Sequence, residues 1–104
     1  MSHRRYEIYL PTRYNNGSLV GADEFMETRR ELVAKFGACS FFPEAFQGTW
    51  ISQGQTFEDE NVRICLDVED TPETAAFFEQ LKPRLRKRFQ QLEIWIVSFE
   101  IRVI

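Results

Sequence analysis

The chain has 104 residues, of which 43% are hydrophobic and 28% are charged. This length gives room for a single domain with a hydrophobic core, and the composition is that of a folded soluble protein rather than a disordered one. The formal net charge of −3 argues against the basic surface of a typical nucleic-acid-binding protein, and no apolar run approaches the roughly 20 residues of a membrane span.

The cysteine and histidine content limits the chemistry that the chain can carry. The N-terminal segment lacks the apolar stretch of a signal peptide, so we expect a cytoplasmic protein in which Cys39 and Cys65 are reduced thiols. His3, the single histidine, lies near the chain end, which argues against a histidine-based catalytic relay or zinc site. We therefore expect no resident metal and no cofactor.

The first part of the chain predicts a strand followed by a helix. Residues 5–11 alternate in side-chain character, as in a strand with one buried face. The Asn-Asn-Gly sequence at 15–17 is typical of a turn. Residues 22–36 follow helical spacing, and Gly37 stands where a C-cap glycine belongs.

The middle of the chain predicts two strands joined by a tight turn. Residues 41–52 indicate a strand interrupted near Pro43, which favours an edge position because proline cannot donate a backbone hydrogen bond. Gln53-Gly54 is typical of a hairpin turn. The following strand is expected from about residue 55 to residue 68, with a bulge near residues 58–60.

The last part of the chain predicts a second helix and a closing strand. Thr71 and Pro72 form a strong helix start, because threonine caps the first turn and proline fits the first helical position. We expect this helix to extend to about Gln90, with an irregularity at Pro83. Residues 92–104 are typical of a strand. The expected buried stripe of the helix consists of Phe78, Leu81, Leu85 and Phe89.

The element order β-α-β-β-α-β predicts a ferredoxin-like α+β sandwich that forms a single domain over residues 1–104. Such a domain has a four-stranded antiparallel sheet in the order 4-1-3-2, with two helices on one face. The strand residues expected beneath the helices are Tyr6, Ile8, Leu10, Val62, Ile64, Leu66, Val68, Trp95, Val97, Phe99, Ile101 and Val103. The residues expected on the opposite, open face are Glu7, Tyr9, Arg63, Cys65, Asp67, Ile94, Ile96, Ser98 and Glu100.

The open face carries most of the candidate ligand-binding residues, namely Glu7, Tyr9, Arg63 and Asp67. Charged side chains near the middle of a sheet can hold a polar ligand or a metal ion. A more common explanation for them is a hydrated face with charge pairs between neighbouring strands.

Arg29 is a further candidate ligand-binding residue. It falls near the centre of the predicted apolar arc of the first helix, whose members are Ala22, Phe25, Met26, Leu32, Val33 and Phe36. A guanidinium in such a position must bind a carboxylate or reach water. We expect a Glu or Asp of the protein as its partner, with a ligand anion as the alternative.

The end of the second helix carries a basic cluster, in which Arg84, Lys87 and Arg88 are candidate nucleic-acid-binding residues. Lys82 and Arg86 lie on the other side of the apolar arc. The positive charges therefore form two flanks rather than the single stripe that would follow a phosphate backbone. Contact with nucleic acid is the less favoured explanation of this cluster.

The acidic run Glu58-Asp59-Glu60 could hold Mg²⁺ through one or two carboxylates. Neighbouring side chains of a strand point to opposite faces, however, and the spacing of an EF-hand is missing. Protection of an edge strand against aggregation is the commoner role of such a run.

Four sequence segments occur in an order that is also found in other proteins. They are YEIYLP, LVAKFG, FQGTW and DTPETAAFFEQLKPRLRKRFQQLEIWI, with Gly48 and Trp50 before the hairpin and Arg88-Phe89-Gln90 before the last strand. In this respect the chain resembles small bacterial proteins that consist of a domain of unknown function. The resemblance implies no activity and no catalytic residues.

The sequence as a whole predicts a non-enzymatic module that self-associates, as a homodimer or a larger oligomer, and binds a small ligand or a protein partner. Self-association is expected because the last strand is apolar on both sides near its start, whereas two helices cover only one face. One alternative is a small enzyme that uses the open face, either of the dimeric α+β barrel type or a metal-dependent nuclease built on Glu7, Asp67 and a further carboxylate. A third possibility is a nucleic-acid-binding module.

Overall fold

The computed structural model describes residues 2–104. Its elements are β1 (His3–Pro11), α1 (Ala22–Phe36), β2 (Ser40–Ser52), β3 (Gln55–Glu69), α2 (Pro72–Arg88) and β4 (Trp95–Ile101). The strands form one sheet in the order β2-β3-β1-β4, and every neighbouring pair is antiparallel. The protein therefore has the ferredoxin-like α+β fold, and the predicted strand order 4-1-3-2 is confirmed.

Both helices begin where the local sequence predicts, and α1 ends at the predicted position, whereas α2 ends at Arg88 rather than Gln90 and contains Pro83 within one helix. At the start of α2, the Thr71 hydroxyl accepts a hydrogen bond from the backbone N–H of Thr74 at 3.1 Å, and Pro72 occupies the first helical position. At the end of α1, Gly37 adopts a φ of 84°, and its N–H donates to the carbonyl oxygen of Val33 at 2.8 Å. This left-handed conformation is favourable for glycine because it has no Cβ.

The β2–β3 hairpin is longer than the rest of the sheet. Its turn is formed by Gln53 and Gly54, whose φ angles are 52° and 76°. Since β1 pairs with β3 only from Asn61 to Glu69, residues 47–60 extend beyond the other strands, and we refer to them as the hairpin arm. The predicted hairpin turn and the edge position of β2 are both confirmed.

The irregularity of the hairpin lies in β2 and not in β3. The register between the two strands shifts between Phe42 and Phe46, whereas the pairs around Glu58, Asp59 and Glu60 are regular. The predicted bulge near residues 58–60 was therefore wrong. The physical reason is Pro43, which has no N–H to donate and so interrupts the ladder on its own strand.

The hydrophobic core lies between the sheet and the two helices. Its completely buried apolar side chains are Ile8, Leu10, Leu32, Ile64, Leu81, Leu85 and Phe89. Phe78 is 3% exposed, so the predicted buried stripe of α2 is confirmed. In the described part of the chain, neither helix is long and apolar enough to cross a membrane.

The strand β4 has the opposite orientation to the one predicted. Ile96 lies directly opposite Ile8 and faces the helices, and Ile94 is 2% exposed in the core. Trp95 and Phe99 are 65% and 44% exposed on the open face. The placement of Trp95, Val97, Phe99, Ile101 and Val103 beneath the helices, and of Ile94, Ile96, Ser98 and Glu100 on the open face, was therefore wrong. Because the start of this strand is apolar at every position, its alternation does not reveal which side is buried.

The buried face of α1 is rotated toward Thr28 relative to the predicted arc. Thr28 is completely buried, whereas Met26 and Val33 are 41% and 45% exposed. Burial of this threonine is possible because its hydroxyl donates to the carbonyl oxygen of Glu24 at 2.9 Å and accepts from Arg88 at 2.9 Å. The spacing of apolar residues alone therefore predicts the wrong orientation for the buried face of α1, because it leaves out Thr28.

Truncation of Leu85 to alanine tests this packing. We expect the free energy of unfolding to fall by about 2–5 kcal/mol, because a completely buried leucine leaves both a cavity and lost transfer energy. Urea denaturation followed by circular dichroism measures the change. Leu92→Ala is the matched control, since Leu92 is 93% exposed and its truncation should change stability by less than about 0.5 kcal/mol. Equal losses in the two variants would contradict the assigned core.

Candidate ligand-binding site

The open face of the sheet brings together the polar side chains of its two central strands. In the β1–β3 register, side chains of directly opposed residues point to the same face. The opposed pairs on the open face are Arg5–Asp67, Glu7–Cys65 and Tyr9–Arg63. The predicted positions of Glu7, Tyr9, Arg63 and Asp67 on one face agree with this geometry.

Arg5 and Asp67 form a two-point ion pair. The Arg5 Nε and Nη2 atoms donate to the two carboxylate oxygens of Asp67 at 2.6 and 2.8 Å. The bound guanidinium lowers the pKa of the Asp67 carboxyl, and the hydrogen bonds and charge of Asp67 raise the pKa of Arg5. Arg5 is absent from the set predicted from the sequence, although its place two residues before Glu7 on the same strand puts it on the same face.

Glu7 is the most enclosed charged group of the open face, with 14% of its side chain exposed. Its Oε1 atom accepts a hydrogen bond from Arg63 Nη1 at 3.1 Å and one from the Cys65 thiol at 3.5 Å. The guanidinium of Arg63 also lies 4.4 Å from the ring centre of Phe42, in cation–π geometry. Glu7 thus has a fixed position between two donors.

The environment of the Cys65 thiol favours its protonated form. Burial, together with the hydrogen bond to Glu7 and the charge of that carboxylate, raises the pKa of Cys65 from 9.0 to about 11. A thiol with such a pKa is almost entirely protonated at pH 7, and thiolate is the reactive form. Cys65 is therefore a hydrogen-bond donor that helps to orient Glu7.

A cleft of about 330 Å³ lies above these groups. Arg63, Cys65 and Asp67 line its polar side, and Phe36 and Phe42 line its apolar side. An adjoining hollow of about 400 Å³ shares Phe42 and Arg63 and is bounded by Tyr9 and Phe46, whose rings meet edge to face at 5.5 Å. The open face therefore offers charged groups of both signs beside aromatic surfaces.

The same face carries an apolar band along its β4 edge, which consists of Trp95, Val97, Phe99 and Ile101. In the β1–β4 register, Trp95 lies opposite Tyr9, and Val97 lies opposite Glu7. The band therefore directly flanks the charged groups. Trp95 and Phe99 are 65% and 44% exposed, and Val97 and Ile101 are partly exposed, so the described chain leaves much of the band in contact with water.

Arg29 lies apart from the open-face groups. It is exposed on α1, and its guanidinium lies 4.8 Å from the ring centre of Phe41. Among residues 2–104 it forms no ion pair, so the prediction of a protein carboxylate as its partner was wrong. The rotation of α1 toward Thr28 removes Arg29 from the buried face and with it the need for such a partner.

The basic cluster of α2 is largely engaged in ion pairs. Arg84 and Arg88 both bind Glu31 of α1, and Arg88 does so at 3.0 Å. Burial opposes ionisation of Glu31, but the two guanidinium groups outweigh it and lower its pKa. Across the described chain, Lys87 is the member of the predicted nucleic-acid-binding set that has no ion pair.

Lys82 and Arg86, the other flank of that cluster, are paired as well. Both bind the Oε1 atom of Glu93 at 3.0 Å. Hydrogen bonds from these two residues lower the pKa of Glu93 to about 2. The cluster therefore joins neighbouring elements of the fold, and little of its charge is left to attract phosphates.

The carboxylates of the open face do not converge. Glu7 binds Arg63 and Asp67 binds Arg5, and residues 2–104 contain no group of three His, Cys, Asp or Glu side chains that could hold a metal ion. The metal-dependent nuclease alternative needs Glu7, Asp67 and a further carboxylate to meet. That requirement is not met in the described structure.

Comparisons with known proteins identify solved structures that have a similar fold. Neither a family model nor a curated protein matches the sequence. A phage SAM lyase in its apo state is similar with a TM-score of 0.72 at 17% identity, over 95% of this chain and 81% of that chain. The phage SAM lyase in complex with S-methyl-5′-thioadenosine gives a TM-score of 0.69 at 14% identity, over 97% of this chain and 90% of that chain.

A third similar structure is the divalent cation tolerance protein CutA1 of Thermus thermophilus. Its TM-score is 0.66 at 16% identity, over 97% of this chain and 85% of that chain. At such low identities these likenesses establish the shared ferredoxin-like fold, and nothing about activity follows from them.

Replacement of Glu7 by glutamine tests the hydrogen bond that it shares with Cys65. In a Cys39→Ser background, the change should lower the pKa of the Cys65 thiol from about 11 toward the usual 9.0, without reaching it because burial remains. The pH dependence of alkylation by iodoacetamide measures this pKa. Glu73→Gln, on the exposed first turn of α2, is the control and should leave the profile unchanged. An unaltered profile in Glu7→Gln would show that the carboxylate does not contact the thiol.

Proposed function

We propose that the protein is a self-associating module that binds a small ligand in the cleft of its open sheet face. The observation that carries this proposal is the apolar band of β4, which lies exposed beside a cleft lined by paired charges. The band accounts for the association, and the cleft accounts for the ligand.

The apolar band is unusual for a surface that faces only water. Antiparallel sheets with one solvated face normally alternate apolar and polar side chains, so that the solvated face is polar. Here Trp95, Val97, Phe99 and Ile101 all point to the face without helices. Contiguous apolar patches of this kind mark interaction surfaces, and contact with a second copy of the chain would reduce the exposure of the band to water.

The charges of the open face favour association of identical copies. Arg5 pairs with Asp67, and Arg63 pairs with Glu7, so these groups compensate each other within one chain. Two copies that meet near this face therefore bring no uncompensated like charges together. A partner chosen for opposite charge would find little on this face to attract it.

The cleft supports the binding of a small polar ligand. Its volume of about 330 Å³ lies at the lower end of the range of roughly 300–1,000 Å³ that is typical of small-molecule sites. Arginines can bind a ligand anion and carboxylates a ligand cation, while Phe42 offers an aromatic surface. A ligand that carries both charge and an apolar part would match this lining.

Sedimentation velocity over a range of protein concentrations tests the self-association. We expect the wild-type protein to sediment as a dimer or a larger oligomer, and Trp95→Lys to shift it toward monomer because the new ammonium group would be desolvated in the contact. Leu19→Lys is the matched control, since Leu19 is 66% exposed and Trp95 is 65% exposed.

Two results would contradict the proposal. One is a wild-type protein that remains monomeric at all concentrations. The other is a Trp95→Lys variant that associates as strongly as Leu19→Lys, which would exclude the apolar band from the contact.

A lyase that acts on S-adenosylmethionine is a second candidate function. It is favoured by the likeness to the phage SAM lyase structures, one of which holds S-methyl-5′-thioadenosine. The open face has the complementary chemistry, because a sulfonium cation can lie against Glu7 or an aromatic ring such as that of Tyr9 or Phe42, and an amino-acid carboxylate can bind an arginine. In this candidate function, the open face both binds S-adenosylmethionine and converts it.

Incubation with S-adenosylmethionine distinguishes the lyase from a pure binding module. We expect a lyase to release S-methyl-5′-thioadenosine faster than a protein-free control, as measured by liquid chromatography, and Glu7→Gln to reduce the rate at least tenfold. Glu73→Gln should retain the wild-type rate. Release at the protein-free rate would exclude the lyase and leave the binding module in place.

A further inference from the structure

The strand β4 presents an open edge that lacks the usual protection against pairing with another strand. We infer that this edge pairs antiparallel with the β4 edge of a second copy, with Ser98 opposite Ser98 of that copy, so that two sheets become one continuous sheet. The inference rests on the proposed self-association, and it specifies which strands of the two copies pair and in which register.

The two edges of the sheet differ in their protection. The β2 edge contains Pro43, the charged Glu44 and a register shift between Phe42 and Phe46. The β4 edge contains no proline, no lysine and no register shift, and Glu100 is its single charged residue. Proline, charge and bulges are the devices by which proteins prevent edge-to-edge pairing, so β4 is the edge that remains available.

The sequence of β4 favours pairing with itself in one register. With Ser98 at the centre, all seven residues of the strand find a partner. On the open face, Trp95 then lies opposite Ile101 of the second copy, and Val97 lies opposite Phe99. Cross-strand pairs of aromatic and β-branched residues stabilise antiparallel sheets, and the apolar bands of the two copies merge into one.

The same register keeps the charges of β4 apart. Glu100 lies opposite Ile96 of the second copy rather than opposite its own counterpart. The two Glu100 side chains are separated by four positions along the strands, or about 13 Å. Directly opposed like charges, which destabilise a strand pair, are thereby avoided.

The hairpin arm of a second copy is the alternative partner for the β4 edge, because the outer strand of the arm also has one unpaired side. The arm residues that share the open face are Gly48, Trp50 and Ser52, as their pairing with Asp59, Phe57 and Gln55 shows. Only one of these side chains is apolar. Pairing of β4 with the arm would therefore leave most of the apolar band without an apolar neighbour.

Cysteine cross-linking tests the pairing directly. In a Cys39→Ser, Cys65→Ser background, Ser98→Cys should join two chains rapidly on oxidation or with a short bismaleimide. Directly opposed residues of antiparallel strands have Cα atoms about 4.5–5.5 Å apart, within the range of a disulfide. Glu100→Cys is the matched control, since it lies on the same strand and the same side of the sheet. Its cross-linking should be at least tenfold slower.

The outcomes separate this inference from the proposed function. Dimers in sedimentation without preferential cross-linking of Ser98→Cys would overturn the edge pairing and leave self-association intact. Cross-linking of Ser98→Cys to a Thr49→Cys chain would show that the hairpin arm pairs with this edge and would likewise overturn the inference, because Thr49 and Ser98 lie on the same side of their strands. A monomeric protein would overturn both proposals. Over the concentration range in which sedimentation shows association, hydrogen exchange of the unmodified protein should show β4 amides gaining protection, and unchanged protection over that range would also contradict the pairing.

Discussion

The position of Ile8 in the middle of the sheet determines the rest of the structure. It lies between Ile64 of β3 and Ile96 of β4, and all three side chains face the helices. Because side chains alternate along a strand, burial of these isoleucines directs every neighbouring residue to the open face. The charged cleft and the apolar band are therefore consequences of how the core is packed.

The open face combines features that rarely occur together on a solvated surface. Its central strands carry compensated charges, with Glu7 held between Arg63 and the Cys65 thiol. Its edge strand carries apolar side chains, among which Trp95 is the most exposed. The charged part suits a small polar ligand, whereas the apolar part suits another copy of the chain. The proposed function assigns one role to each part.

The sequence predicts those features that depend on local chemistry, such as the threonine cap at Thr71, the C-cap at Gly37 and the alternation of β1 and β3. It does not predict features that depend on tertiary context. The start of β4 is apolar at every position, so only the pairing of Ile96 with Ile8 decides which side is buried. Thr28 is polar, and its burial depends on an arginine donor from the other helix, which no helical pattern reveals.

The central claim is that Trp95 is exposed in one chain and loses part of this exposure by contact with a second. A Trp50→Phe variant leaves Trp95 as the single tryptophan, since the chain has two. Acrylamide quenching of its fluorescence, measured from dilute to concentrated protein, follows the exposure of this side chain. We predict strong quenching in dilute solution that weakens as the chains associate. Quenching that is weak even in dilute protein that sediments as a monomer would place Trp95 in the core. Quenching that stays equally strong while sedimentation shows association would show that no second copy shields it.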